Sequence, residues 1–209
     1  IVRTDEGDAL VNDYPEFGPL VENVPLIIAE LEQSNPVWMP WSSDAFDDQG
    51  KPVFLSVGSW AVSPVYFGRK RPDQAINIDP AYKAMAVEAC KSLPGIYPHT
   101  TQLLQRIPSI NYAAFSRLAP QSRLEPHQHR SPESLIMHLA LKVPRQGSGI
   151  SVAGQSHTWQ KPGDMLIFDD EQEHCAWNCS GRDRVVLYVD FLRPKRALNA
   201  PDAIFLRCK

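Results

Sequence analysis

The chain has 209 residues and 43% of them are hydrophobic, enough for one domain with a sizeable core and too few for a second independent domain. Lys and Arg number 21 against 24 Asp and Glu, a net charge of −3, and no basic run is long enough to track a phosphate backbone, so nucleic acid is not an expected partner. Cys90, Cys175, Cys179 and Cys208 are too few and too unevenly spaced for a disulfide framework.

No apolar run approaches the ~18 to 20 residues of a membrane span, and the opening "IVRTDEGDAL" has neither the charged nor the apolar part of a signal peptide. The expectation is therefore a soluble, cytoplasmic protein in a reducing compartment, with no membrane partner.

In chain order, Pro25 opens "PLIIAELEQ", where Leu26, Ile27, Glu30 and Leu31 fall at helical spacing behind a proline suited to a first turn. "DPAYKAMAVEACKSLPG" predicts a second helix, with Asp79 as N-cap, Pro80 at the first helical position and Pro94-Gly95 as the stop. A shorter helical segment is predicted from Thr100 to Ile107. From Asn111 onward the pattern changes to short apolar or β-branched runs: "NYAAFSRL", "LIMHLALKV", "GISVAG", "HTWQ", "DMLIFDD", "HCAWNC" and "RVVLYVDFL". A hairpin is predicted at Gly154-Gln155, and "KPGD" should turn the chain into "MLIF". Strands with no intervening helices argue for an antiparallel sandwich or barrel. The expected fold is mainly β: a jelly-roll or cupin-like core over residues 97–209, with residues 1–96 a helical or mixed extension of the same domain.

Six histidines occur in the chain, and three of them fall between His127 and His138. In "EPHQHR" an extended backbone points His127 and His129 to one face, where a single ion can touch both. Imidazole suits iron, copper, nickel or zinc, and His174, opening a strand after an acidic turn, is the natural third ligand. A solvated turn with hydrogen-bonded rings is the alternative. His138 interrupts the apolar run "SLIMHLALKV", where a buried imidazole needs a polar partner. His174 with Cys175 and Cys179 lacks the second cysteine pair of a zinc cluster, so these cysteines read as small apolar fillers. On "RDRVVLYVDFL" both faces are partly apolar, so alternation alone does not place Arg184 inside; if inside, its guanidinium wants a carboxylate.

The run "FSRLAPQSRLEPHQHR…LIMHLALKVP…W…PGDMLIFDDEQEHCAWN…DRVVLYVDF", about Pro98 to Pro194, resembles the aspartyl/asparaginyl β-hydroxylase family. Members are Fe(II)- and 2-oxoglutarate-dependent oxygenases with a double-stranded β-helix fold. The resemblance implies that His127 and His174 are iron ligands and catalytic, that Arg184 grips the distal carboxylate of 2-oxoglutarate with Ser116 beside it, and that His138 contacts this co-substrate. Asp169, Asp170 and Trp177 match the pattern too, and are expected to stabilise a turn and the core. Two after the first histidine the family often has Gly or Asp, whereas this chain has His129. Two before His138 its peptide hydroxylases commonly carry Arg, whereas this chain has Ile136.

The expected activity is hydroxylation of an unactivated C–H bond, with O2 and 2-oxoglutarate consumed and succinate and CO2 released. The expected metal site is Fe(II) held by His127, His129 and His174. Ile136 tilts the expected substrate towards a small molecule or biosynthetic intermediate. Alternatives are a non-enzymatic cupin-like metal or ligand-binding module, an aspartyl/asparaginyl peptide hydroxylase, and a three-histidine dioxygenase without co-substrate. Trp38, Trp41 and Trp60 with Arg69, Lys70 and Arg71 form either a substrate lid or an ordinary packed extension.

Overall fold

The computed structural model describes residues 14–40, 55–70, 87–88, 91–129 and 132–194. After a 3-10 turn at Pro15–Phe17 come helices α1 (Gly18–Glu22), α2 (Val24–Gln33), α3 (Leu93–Ile96) and α4 (Pro98–Gln105). The strands are β1 (Met39–Pro40), β2 (Leu55–Val57), β3 (Trp60–Phe67), β4 (Ile110–Leu118), β5 (Ser122–His127) and β6 (Ser134–Lys142). They continue as β7 (Ser148–Val152), β8 (Gln155–His157), β9 (Met165–Phe168), β10 (His174–Asn178) and β11 (Arg184–Leu192).

Two antiparallel sheets face each other, one ordered β1-β3-β4-β11-β6-β9 and the other β2-β5-β10-β7-β8. Within the last eight strands, β4, β6, β9 and β11 lie in the first sheet and β5, β7, β8 and β10 in the second. Apart from the β7–β8 hairpin, the chain thus crosses between sheets at every connection. That interleaving, 4-11-6-9 opposite 5-10-7-8, is the double-stranded β-helix form of the jelly roll. The segment before residue 97 contributes β1 and β3 to one sheet and β2 to the other, so it carries strands as well as helices.

The larger sheet is buried on both faces, which is why its strands read as nearly continuous apolar runs. Phe115, Leu139, Leu187, Val189 and Phe191 pack outward against Phe17, Leu20, Ile27 and Leu104. Ile136, Ala140, Leu166, Phe168 and Val186 pack inward against Leu124, Ile150, Val152 and Ala176 of the second sheet. Each of the larger of these side chains contributes roughly 1.5–3 kcal/mol on full burial.

Helix α2 starts with Pro25 in its first turn and buries Val24, Ile27 and Leu31, the spacing of one helical face. Leu26 lies on the other side and is exposed. The Glu30 carboxylate of α2 accepts the backbone N–H groups of His99 and Thr100 at 2.8 and 2.9 Å. It therefore caps the start of α4, where no local side chain does, and ties the two helices together.

Several expectations shift. Residues 79–86 and 89–90 of the predicted second helix lie outside the described residues, as do Trp41, Arg71, Cys90 and Cys208. Pro94-Gly95 does not end a helix; Pro94 opens the separate α3, since a first-turn proline loses no helical hydrogen bond. The β7–β8 turn falls at Ala153-Gly154, with φ of 47° and 75°, one residue before the predicted place. Both residues need the left-handed region that fits a two-residue hairpin. "HTWQ" is not a strand, because only His157 belongs to β8. Strands β3 and β5 carry Pro64 and Pro126, which masked their pattern in the sequence. No helix among the described residues is long and apolar enough to cross a membrane.

Candidate active site

A register break builds the histidine cluster. On β10, His174, Ala176 and Asn178 alternate inward, and on β5 Ser122 and Leu124 do the same. Strict alternation from Leu124 would put Pro126 inside and His127 outside. Instead Ala176 pairs with Leu124 and His174 with His127, so β5 holds one residue more than β10 between these pairs. The extra residue falls at Glu125-Pro126, where proline has no N–H to lose from the ladder. The bulge turns His127 onto the face of His174, and their ring centroids stand 4.2 Å apart.

His129 follows the end of β5, anchored by its backbone N–H to the Asp170 carbonyl at 2.9 Å. Its ring lies 5.2 Å from that of His127 and 5.6 Å from that of His174. One ligand atom from each of the three lies within 4.8 Å of the others.

The hydrogen bonds settle which nitrogens face the cluster. His127 Nδ1 lies 2.7 Å from the Glu125 carbonyl oxygen and His174 Nδ1 2.8 Å from that of Gln172. A carbonyl only accepts, so each Nδ1 carries the proton and each Nε2 keeps its lone pair. Burial lowers the pKa of His127 to about 4, with the neighbouring His129 adding to the shift against the Glu125 bond. Burial, then His127, lowers that of His174 to about 3. Both rings are neutral donors at physiological pH, oriented by second partners as metal-binding imidazoles are.

The larger sheet faces this cluster. Arg184, Val186, Tyr188 and Asp190 share the inner face of β11. Val186 pairs with Ser116 on β4, and Tyr188 pairs with His138 on β6. Register therefore brings Arg184, Ser116 and His138 to one wall. Arg184 is 3% exposed, and no ion pair to it occurs among the described residues. Its guanidinium carbon sits 5.1 Å from the Trp159 ring centroid, its Nε has no hydrogen-bond partner, and burial pulls its pKa down to about 10. His138, also buried, has no partner for Nδ1. Burial first, then Arg184 and His174, hold it well below the usual imidazole range. Ser116 Oγ accepts the Trp60 indole N–H at 3.0 Å, leaving its own hydroxyl proton to donate.

Rings connect the two walls. Trp159 and Phe168 lie 5.9 and 5.1 Å from His138, and Phe168 lies 5.6 Å from His174. The interior thus runs from a buried cation, past apolar rings, to three imidazoles.

The remaining predicted residues separate. Asp169 pairs with Arg193 and accepts the Glu171 N–H, the turn role expected of it. Asp170 is buried, and desolvation, helped by Asp190 and Asp169, raises its pKa to about 7. Trp177 lies on the outer face of β10 over Gly149, where an added Cβ would come within 2.5 Å of the indole. Cys175 is half-buried and Cys179 exposed. Lys70 pairs with Asp190 on the inner face of β11, while Trp38 stacks under Arg117. Sequence reasoning gave Trp159 no role in the site and missed Lys70–Asp190; an isolated tryptophan between turns carries no periodic signal.

A sequence profile described as aspartyl/asparaginyl β-hydroxylase matches residues 27–194. The chain belongs to this family. Among curated members, the ornithine lipid ester-linked acyl 2-hydroxylase of Rhizobium tropici is 40% identical over 102 residues, covering 48% of this chain and 36% of that protein. The human aspartyl/asparaginyl β-hydroxylase is 32% identical over 112 residues, covering 51% of this chain and 14% of that protein. The chain thus aligns with about a third or less of the length of these hydroxylases. Among solved structures, KdgF from Halomonas sp. is 12% identical over 75% of this chain and 99% of that one, with a TM-score of 0.37.

Proposed function

We propose that this member of the hydroxylase family is an Fe(II)- and 2-oxoglutarate-dependent dioxygenase that hydroxylates an unactivated C–H bond of a small molecule or biosynthetic intermediate. The observation that carries the reading is Arg184, a buried guanidinium with no carboxylate partner among the described residues, on the wall facing the three-histidine cluster. An unpaired buried cation is costly, and a bound carboxylate removes the cost. A dianion with a metal-chelating end and a carboxylate end fits both halves of this interior.

His127, His129 and His174 would hold Fe(II) through ring nitrogens, leaving the metal one protein charge short of a two-histidine, one-carboxylate set. When bound, the metal supplies O2 activation coupled to decarboxylation of the 2-oxo acid. The chain's own residues do the rest. Arg184 and Ser116 hold the distal carboxylate, His138 contacts the co-substrate, and Phe168 and Trp159 keep water out between the walls. The Glu125 and Gln172 carbonyls keep both Nδ1 protons in place, so His127 and His174 present lone pairs without a prior proton loss.

Ile136, buried beside Phe168 on the inner wall, supports an apolar portion of the substrate at that point. The family match supports a second reading, an aspartyl or asparaginyl side chain in a peptide. The decisive experiment incubates the full chain with Fe(II), O2 and 2-oxoglutarate and measures succinate against panels of small molecules and of Asp- and Asn-containing peptides. Succinate formation stimulated by a small molecule supports the first reading and stimulation by peptides the second. No stimulation, together with no binding of 2-oxoglutarate to the anaerobic Fe(II) protein, points to a ligand-binding module instead.

A further inference from the structure

Three buried polar atoms on neighbouring groups of the described interior lack any hydrogen-bond partner: Arg184 Nε, Trp159 Nε1 and His138 Nδ1. Trp159 joins them in space. Its ring centroid is 5.1 Å from the Arg184 guanidinium carbon and 5.9 Å from the His138 ring, and the residue is 3% exposed. Arg184 Nε and Trp159 Nε1 are obligate donors, so neither can satisfy the other. Leaving a buried donor unmade costs about 1–3 kcal/mol, and two such donors on stacked groups need an acceptor from outside the chain.

We propose that the Trp159 indole N–H is a co-substrate-selecting donor, hydrogen-bonded to the same distal carboxylate that Arg184 holds. The inference rests on the 2-oxoglutarate reading above and adds to it a residue outside the strands. Trp159 follows β8 in the 158–164 loop, whose shape is set locally: the Asp164 carboxylate accepts the N–H groups of Gln160 and Lys161 at 2.6 and 3.0 Å. This turn holds the indole in place without a strand. The ring face also restricts the guanidinium, since a desolvated cation–π contact orients the planar fork before the acid arrives. Trp159 thus acts twice: its face positions Arg184 and its N–H reads the carboxylate.

The test compares 2-oxoglutarate with 2-oxovalerate, which has the same chain length and 2-oxo acid but no distal carboxylate. Calorimetric titration of both acids into the anaerobic Fe(II)-loaded full chain measures affinity directly, for the wild type, Trp159→Phe and Arg184→Met. Phenylalanine keeps an aromatic ring under Arg184 and removes the N–H together with the second ring of the indole, and the 2-oxovalerate affinity reports any loss from the smaller ring. Wild type should prefer 2-oxoglutarate strongly. Trp159→Phe should lose roughly tenfold in 2-oxoglutarate affinity, the scale of one hydrogen bond to a charged acceptor, with 2-oxovalerate unchanged. If Trp159→Phe weakens both acids equally, or neither, while Arg184→Met abolishes the preference, the inference is wrong and the co-substrate reading stands. If wild type does not distinguish the acids, both are wrong. Far-UV circular dichroism and the melting temperature check that each variant is folded, and Trp159→Tyr provides a second ring without the indole N–H should phenylalanine fail to fold.

Discussion

Replacing Arg184 by Met should stabilise the ligand-free protein while removing its response to 2-oxoglutarate. Burial lowers the arginine pKa from its ordinary value to about 10, which corresponds to about 3 kcal/mol favouring the unfolded state. The sign follows from a depressed base: below about pH 10 both states are protonated, so the penalty is fully present at pH 7 and is relieved only as pH rises above about 10 towards the ordinary arginine range. Stacking on Trp159 offsets about 0.5–2 kcal/mol of it. Methionine fills a similar volume without charge, so the net gain should be about 1 kcal/mol, or roughly 2–4 °C in Tm for a chain of this size. In wild type, 2-oxoglutarate at a hundred times its Kd should add about 2.7 kcal/mol; in Arg184→Met it should add nothing. Differential scanning fluorimetry of the Fe(II)-loaded protein under nitrogen, with and without the acid, measures both effects. A variant less stable than wild type that still responds to 2-oxoglutarate would refute the reasoning, because it would make Arg184 a satisfied structural residue.

His129→Ala should lower iron affinity as much as His127→Ala does if all three imidazoles bind, measured by competition with a chromogenic chelator; near-wild-type affinity reduces the site to His127 and His174. Iron should bind more tightly with 2-oxoglutarate present, since a dianion restores the charge that three neutral imidazoles do not supply. Acid should destabilise the metal-free protein early: folded pKa values of about 4 for His127 and about 3 for His174 lie below the unfolded value of ~6.5. The unfolded state therefore binds protons first, and the urea midpoint should fall as pH drops from about 6.5 towards 4. Asn178→Ala should cost about 2–4 kcal/mol in urea unfolding, since this buried amide donates to the Leu118, Ala119 and Arg182 carbonyls and its loss leaves acceptors unmet.

Local pattern was enough for much of the chain. The apolar runs of β4, β6, β9 and β11 were visible because both faces of the larger sheet are buried, and that of β10 because it alternates between turns. Helix α2 was visible because Leu26, Ile27, Glu30 and Leu31 fall at helical spacing behind Pro25, although the face it buries is Val24, Ile27 and Leu31. The histidine pair of "EPHQHR" was conspicuous by composition alone, and the resemblance to the hydroxylase family rested on residues whose order along the chain is itself local information.

Tertiary structure decided the rest, for reasons of register and distance. Alternation says which residues share a face but not which face is the interior, so only pairing of β11 with β4 and β6 put Arg184, Ser116 and His138 on one wall. A bulge is invisible to a period-two count, yet the extra residue at Glu125-Pro126 is what turns His127 towards His174. Strand β3 was hidden because its proline spoils the strand pattern, although its ladder to β4 is long. Trp159 lies in an irregular loop with no period, and its place beneath Arg184 depends on a contact between residues 25 positions apart in the chain. Local preference selects the elements; burial of a charge and the meeting of distant strands select the site.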